Sequence, residues 1–74
     1  MQKIDFALDG HEFIPLNQLL KVTQVVNSGG MANEIITDGL VIYNGETETR
    51  KRKKVYAGDK VEVAEFGFSI SVGL

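Results

Sequence analysis

The sequence contains no cysteine and no tryptophan, and only one proline and one histidine among its 74 residues. Without cysteine the chain can form no disulfide, no thiolate nucleophile and none of the usual zinc fingers or ribbons. The longest wholly apolar run is residues 40–43, far shorter than the roughly 20 residues that a membrane span needs. The N-terminal segment carries acids where a signal peptide would be apolar. We therefore expect one soluble, cytoplasmic domain over residues 1–74, with no membrane partner.

The residues that enzymes use are equally sparse. His11 has Asp9 and Glu12 close by in the sequence, but adjacent residues of a strand point to opposite faces, so an exposed turn is the favoured interpretation. None of the three serines follows a nucleophile-elbow pattern, and no glycine-rich phosphate loop ends in Gly-Lys-Ser/Thr. We therefore expect a protein that is not an enzyme and has no catalytic residue, no metal site and no cofactor.

The apolar pattern of the first residues predicts two strands. Ile4, Phe6 and Leu8 alternate with polar residues, as in a strand with one buried face. Asp9-Gly10 is a favoured two-residue hairpin turn. Residues 11–14 are therefore expected to return as a second strand beside the first.

Two short helices are predicted next. Pro15 suits the first turn of a helix, and the three leucines within residues 16–20 follow the spacing of a helical apolar stripe, which should end near Val22. Residues 27–30, Asn-Ser-Gly-Gly, form a loop with two N-cap side chains for a second helix, and Gly39 lies where a left-handed glycine would end it.

The second half of the sequence predicts four strands. Residues 40–43 and 46–49 flank Asn44-Gly45, the strongest short hairpin signal. Residues 60–72 alternate in two further strands, with a kink at Gly67. The order β-β-α-α-β-β-β-β predicts an α+β domain with two short helices packed on one face of a small, mostly antiparallel sheet.

The charges are distributed unevenly. Five of the eight cations are consecutive, and the other 69 residues carry three cations and ten acids, a net charge of −7. Closely packed like charges gain most when an anion neutralises them, and a phosphodiester backbone is a regular line of such anions. Arginine adds a planar fork that matches phosphate oxygens. We call this run the basic segment (residues 50–54), and it consists of Arg50, Lys51, Arg52, Lys53 and Lys54.

The glycine-rich start of the second helix is another candidate anion site. Free backbone N–H groups and the helix dipole attract anions there, and Gly29 and Gly30 would let a phosphate approach the backbone beside Ser28. The alternative interpretation is that the two glycines only shape the loop.

The order of these features resembles a known family. Leu-Leu-Lys closes residues 16–21, a Ser-Gly-Gly-x-Ala loop occupies 28–32, a strand ending in Asn-Gly spans 39–45, and Gly-Asp opens 58–61. This arrangement is similar to the S-four RNA-binding domain, or alpha-L motif, over about residues 14–63. With the Glu-x-Arg-Lys-x-Lys pattern of residues 48–53, it looks especially like the stand-alone bacterial branch, the YbcJ/YaaA-like small proteins.

The resemblance implies that the helix pair is the recognition surface, with the hairpin and the basic strand alongside. We expect non-catalytic binding of structured RNA, ribosomal or transfer RNA, and a monomeric protein. Many members place arginine or lysine beside the serine, where this chain has Gly29 and Gly30, so the phosphate contacts are expected to shift to the basic segment. Lys21 is expected to flank the helix start. The expected RNA-binding residues are Lys21, Ser28, Gly29, Gly30, Arg50, Lys51, Arg52, Lys53 and Lys54.

Two questions stay open at the level of the sequence. Alternation in a strand would bring either Arg50 with Arg52 or Lys51 with Lys53 to the RNA, and nothing in the sequence chooses between these pairs. Tyr43 and Tyr56 are as suited to packing as to stacking, so no base readout is predicted. The competing function is a protein-interaction module that docks an acidic partner on the same basic segment.

Overall fold

Two helices and seven strands follow one another in the computed structural model, which describes all 74 residues. The helices are α1 (Leu16–Val22) and α2 (Gly29–Thr37). The strands are β1 (Gln2–Ala7), β2 (Ile14–Pro15), β3 (Ile42–Tyr43), β4 (Glu46–Thr47), β5 (Lys54–Val55), β6 (Lys60–Val63) and β7 (Phe68–Gly73).

Five of the strands form one sheet in the order β1-β7-β6-β3-β4, and β2 pairs with β5 in a separate two-stranded sheet. Only the β1–β7 pair is parallel, while every other pair is antiparallel. The predicted α+β class, with two short helices and a mostly antiparallel sheet, is therefore confirmed.

The predicted N-terminal hairpin is wrong. Asp9 and Gly10 do adopt positive φ angles of 53° and 92°, and the N–H of His11 donates to the carbonyl of Leu8, so the local turn forms. The chain then leaves the sheet, because residues 10–12 are all exposed and offer no apolar face to lay beside β1. β1 instead pairs with β7, which sets Ile4 and Phe6 beside Ile70 and Val72 in a six-residue register.

The helices cover the face of the sheet that carries its apolar side chains. Leu16, Leu19 and Leu20 of α1 are completely buried, as the stripe in the sequence predicts. They join Ile36 of α2 and Val61 of β6 in one core of 15 residues. The opposite face of the sheet is polar and includes Lys3 and Asp5 of β1, Lys60 and Glu62 of β6, and Ser69 and Ser71 of β7. Neither α1 nor α2 has the length and hydropathy that a membrane-spanning helix requires.

The strand predicted for residues 46–49 ends early. β4 contains only Glu46–Thr47, after which the side chain of Glu48 turns inward and is buried. Residues 50–53 then form a turn in which the N–H of Lys53 donates to the carbonyl of Arg50 at 3.3 Å. The basic segment is therefore mostly a loop, and strand alternation does not decide where its side chains point.

The kink predicted at Gly67 is confirmed. A short 3-10 helix (Ala64–Phe66) interrupts the chain between β6 and β7, and Gly67 follows it with a left-handed φ of 76°. β7, which begins directly after Gly67, lies in the sheet between β6 and β1.

Candidate nucleic-acid interface

The backbone of the basic segment is attached to the start of α1. The N–H of Leu16 donates to the carbonyl of Lys53 at 2.8 Å, and the N–H of Asn17 donates to the carbonyl of Lys51 at 3.0 Å. The first N–H groups of a helix have no acceptor within the helix, so these two carbonyls satisfy them. The loop is thus held by its backbone, and all of its cations are exposed except Lys53, which is half-buried.

Glu48 positions the first arginine of the segment. Its carboxylate accepts hydrogen bonds from Nε of Arg50 at 2.9 Å, from Nη2 at 3.0 Å and from the Arg50 backbone N–H at 3.0 Å. The bonds from the guanidinium lower the pKa of the Glu48 carboxyl to about 2, although burial alone would raise it. The Arg50 side chain remains 70% exposed. Its cation is therefore oriented and partly neutralised before any ligand arrives.

Arg50 and Lys53 border a surface depression of about 400 Å³ together with Tyr43 and Glu48. The basic segment also lines two others. One, which we call the basic depression, has a volume of about 430 Å³ and is lined by Arg50, Arg52, Lys53, Lys54 and Tyr56. Lys51 instead lines a shallower depression of about 270 Å³ together with Gly30 and Asn33 of α2. Of the two pairs suggested by strand alternation, the fold brings Arg50 and Arg52 together and separates Lys51 from Lys53.

Ser28 begins α2 in the way the sequence predicts. Its hydroxyl accepts the N–H of Met31 at 3.1 Å, and its carbonyl accepts the N–H of Ala32 at 3.0 Å. The N–H groups of Gly29 and Gly30 have no acceptor within the chain. Neither glycine has a positive φ, so the backbone conformation does not require glycine at these positions. The two free donors therefore stand at the positive end of the helix dipole.

Lys51 connects the two predicted binding features. It lines the same depression as Gly30, so one member of the basic segment lies beside the first turn of α2. Glu34 and Asp38 line the other end of that depression and reduce its positive character. Lys21 lines neither depression and lies exposed in the last turn of α1.

The two turn motifs of the sequence are joined by one carboxylate. Asp59 accepts hydrogen bonds from the Tyr43 hydroxyl, from the Asn44 amide at 3.0 Å and from the Tyr56 N–H at 2.8 Å. Burial opposes ionisation of Asp59, but these donors outweigh it and lower the pKa of the carboxyl. Burial and the hydrogen bond to Asp59 raise the pKa of Tyr43 to about 12. Lys53 lies above the Tyr43 ring, with Nζ 5.1 Å from its centre.

Tyr56 is the residue of this surface that the sequence interpretation missed. Tyr43 packs against the core and its hydroxyl donates to the Asp59 carboxylate. Tyr56, in contrast, is 39% exposed and lines the basic depression. Alternation from the fully buried Val55 would have placed Tyr56 on the same side as Lys54. That signal was present in the sequence, because Val55 is the first apolar residue after the five cations of the basic segment.

The S4 domain model matches residues 6–72. The chain belongs to the S4 domain family. This result confirms the family indicated by the order of the Leu-Leu-Lys, Ser-Gly-Gly, Asn-Gly and Gly-Asp motifs, and it extends the match from about residues 14–63 into β1 and β7.

Three comparisons with individual proteins agree with the family. The chain is 43% identical over 56 residues to the probable ribosome maturation protein RlbA of Bacillus subtilis, covering 76% of this chain and 79% of RlbA. It is 40% identical over 67 residues to YbcJ of Escherichia coli, covering 90% of this chain and 93% of YbcJ. The solution structure of E. coli YbcJ superposes with a TM-score of 0.75 and 36% identity, over 100% of this chain and 91% of that one. That structure is described as revealing an alpha-L motif involved in RNA binding.

Proposed function

We propose that this S4-domain protein binds structured RNA without catalysing a reaction on it, and that ribosomal RNA is its principal target. The observation that carries the proposal is the basic depression, where four cations converge on a chain whose other charged residues are mostly acidic. Because the relative RlbA is named a probable ribosome maturation protein, ribosomal RNA is the class to test before transfer RNA.

The cations have different roles in this proposal. Arg50, Arg52, Lys53 and Lys54 contact the phosphates of one RNA segment in the basic depression. Lys51 and the free N–H groups of Gly29 and Gly30 receive a further phosphate beside α2, with the hydroxyl of Ser28 holding the helix start in place. Lys21 adds positive charge at the far end of α1 and contributes to steering rather than to a fixed contact.

A matched pair of double variants tests the proposal. Lys51→Gln/Arg52→Gln removes two exposed cations of the basic segment, and Lys3→Gln/Lys60→Gln removes two exposed cations from the polar face of the sheet. None of the four side chains makes an ion pair or a cation–π contact. Both variants change the net charge equally, so only the location of the lost charge differs.

We expect the first double variant to bind a ribosomal RNA hairpin more weakly by about 3–6 kcal/mol, since each charge-assisted contact contributes about 1.5–3. The second should bind nearly as the parent does. Fluorescence anisotropy gives both affinities. The free energy of unfolding, measured by thermal unfolding, should stay within about 0.5 kcal/mol of the parent's value in each variant. Equal losses in the two variants would contradict the proposal. Competition by an acidic polypeptide as effective as that by RNA would favour the protein-docking alternative.

A further inference from the structure

Phe13 and Tyr56 form an aromatic pair at the edge of the basic depression. The β2–β5 register aligns Ile14 with Val55 and Pro15 with Lys54, so the next position sets Phe13 opposite Tyr56. Their ring centres lie 5.9 Å apart and the rings are tilted by 52°. Cross-strand aromatic pairs of this kind stabilise a short ladder, and here the pair lies directly beside the cations.

The two rings are not equivalent. Nζ of Lys54 lies 4.9 Å from the centre of the Phe13 ring and covers it, whereas Tyr56 is 39% exposed and lines the depression itself. Tyr43, the other tyrosine, is held by Asp59 and covered by Lys53. Tyr56 is therefore the aromatic side chain beside the basic segment whose ring is open to a ligand.

The backbone around Tyr56 is held firmly on both sides. Val55 is completely buried, and the N–H of Tyr56 donates to the Asp59 carboxylate at 2.8 Å. Phe13 supports the ring from the side. A preorganised ring loses little conformational freedom when a ligand stacks on it, so little binding free energy is lost to ordering the site.

We propose that Tyr56, supported by Phe13, stacks on an unpaired nucleobase of the RNA. Arg50, Arg52 and Lys53 would hold the phosphates that flank this base. Unpaired bases in loops and bulges can leave the helix and stack on aromatic side chains, while bases inside a continuous duplex cannot. The site thus selects RNA that carries a bulged or looped nucleotide beside a paired stem. This inference rests on the proposed RNA binding and adds the kind of RNA element that is recognised.

Three RNA hairpins of one stem sequence test the inference with the full chain. The first carries a single bulged 2-aminopurine, the second an abasic residue at that position, and the third no bulge. Base–aromatic stacking accounts for an affinity difference of about 5- to 150-fold per base. We expect the parent protein to prefer the bulged hairpin to the abasic one by a factor in that range and to change the 2-aminopurine fluorescence on binding.

Two substitutions at one position separate the ring from the hydroxyl. Tyr56→Phe keeps the ring and should keep both the preference and the fluorescence change. Tyr56→Ala should bind all three hairpins as the parent binds the abasic one, with an unchanged dependence on salt, because the cations remain. If Tyr56→Ala does not fold, the parent's bulged-against-abasic ratio and the fluorescence change decide the outcome.

The two proposals fail in different ways. Salt-dependent binding of all three hairpins with equal affinity, or a preference that survives Tyr56→Ala, would overturn the stacking site and leave RNA binding intact. Absence of salt-dependent binding to any hairpin would overturn the proposed function itself.

Discussion

Glu48 is the only charged residue that the fold buries, and its position explains why the basic segment bends. The carboxylate accepts three hydrogen bonds from Arg50, two from the side chain and one from the backbone. A buried carboxylate without such donors would be strongly unfavourable. Arg50 therefore has a structural role as well as a place in the basic depression, and replacing it would disturb the fold in a way that replacing Arg52 would not.

The Glu48–Arg50 pair makes stability depend on acid pH. Folding lowers the pKa of Glu48 from 4.5 to about 2, so the stabilisation is fully present above the unfolded pKa and is lost as the pH falls through the folded one. We expect Glu48→Gln to lower the free energy of unfolding at neutral pH by about 1–3 kcal/mol. The gap from the parent should close as the pH falls from 4.5 towards 2. Denaturant unfolding at several pH values measures this difference in the free energy of unfolding. The control is Glu46→Gln, which changes an exposed carboxylate and should show no such difference.

A substitution at Gly30 should change RNA affinity and stability in opposite directions. A Cβ placed there would meet only the Ser28 hydroxyl oxygen, at 3.9 Å, and φ is not positive. Gly30→Ala should therefore raise the free energy of unfolding by up to about 1 kcal/mol, because alanine is the better helix former. The methyl group would hinder a phosphate from reaching the free N–H groups and weaken RNA binding roughly tenfold, the value of one charge-assisted hydrogen bond.

Gly73→Ala is the matched control for this variant. Gly73 also has an ordinary φ and open space around a Cβ, but it lies at the end of β7, away from both depressions. Unchanged RNA affinity in Gly30→Ala, measured beside its thermal unfolding, would remove the helix start from the binding site.

At the scale of elements, the turn after β3 and the turn before β6 act as one unit. Asn44 and Lys60 exchange backbone and side-chain hydrogen bonds at 2.8 Å, and Asp59 bonds to both Tyr43 and Asn44. Tyr43 in turn lies below Lys53 of the basic segment. The Asn-Gly and Gly-Asp motifs therefore have a structural function, because they fix the outer ends of β4 and β5, the two strands that the basic segment connects.

Removing the carboxylate should loosen this unit. We expect Asp59→Ala to lower the free energy of unfolding by about 2–4 kcal/mol, because three donors lose their acceptor. The pKa of Tyr43 should fall from about 12 towards its ordinary 10, which tyrosinate absorbance reports cleanly in a Tyr56→Phe background. Asp5→Ala, which removes an exposed aspartate from β1, should change neither quantity. An unmoved Tyr43 pKa would contradict the assigned role of Asp59.

At the scale of the whole molecule, the protein is electrically polarised. A chain with a net charge of −2 places five of its eight cations on one short loop. If four or five phosphates are neutralised there, the logarithm of the RNA association constant should fall as the logarithm of the salt concentration rises. The slope should lie between about −3.6 and −4.5 for a duplex and be less steep for a single strand. Anisotropy titrations at several salt concentrations give this slope. A slope near zero would be incompatible with phosphate contacts from the basic segment.

Local patterns determined much of the architecture. The leucine stripe of α1, the Ser28 cap of α2, the left-handed glycine at position 39 and the Asn44-Gly45 turn all depend on neighbours within a few residues. Short-range backbone preferences and apolar periodicity are sufficient to specify such features. The family also followed from the sequence, because its motifs occur in a characteristic order that residues 6–72 preserve.

Only the tertiary structure decided which distant segments meet. The Asp9-Gly10 turn formed without its hairpin, because β7 offered β1 a longer apolar register than residues 11–14 could. The basic segment left the strand because the first N–H groups of α1 needed its carbonyls and the Glu48 carboxylate needed Arg50. Those partners lie far apart in the sequence or depend on burial, so no local pattern encodes them. The grouping of four cations with Tyr56, and the separation of Lys51 from them, follow from the same long-range contacts.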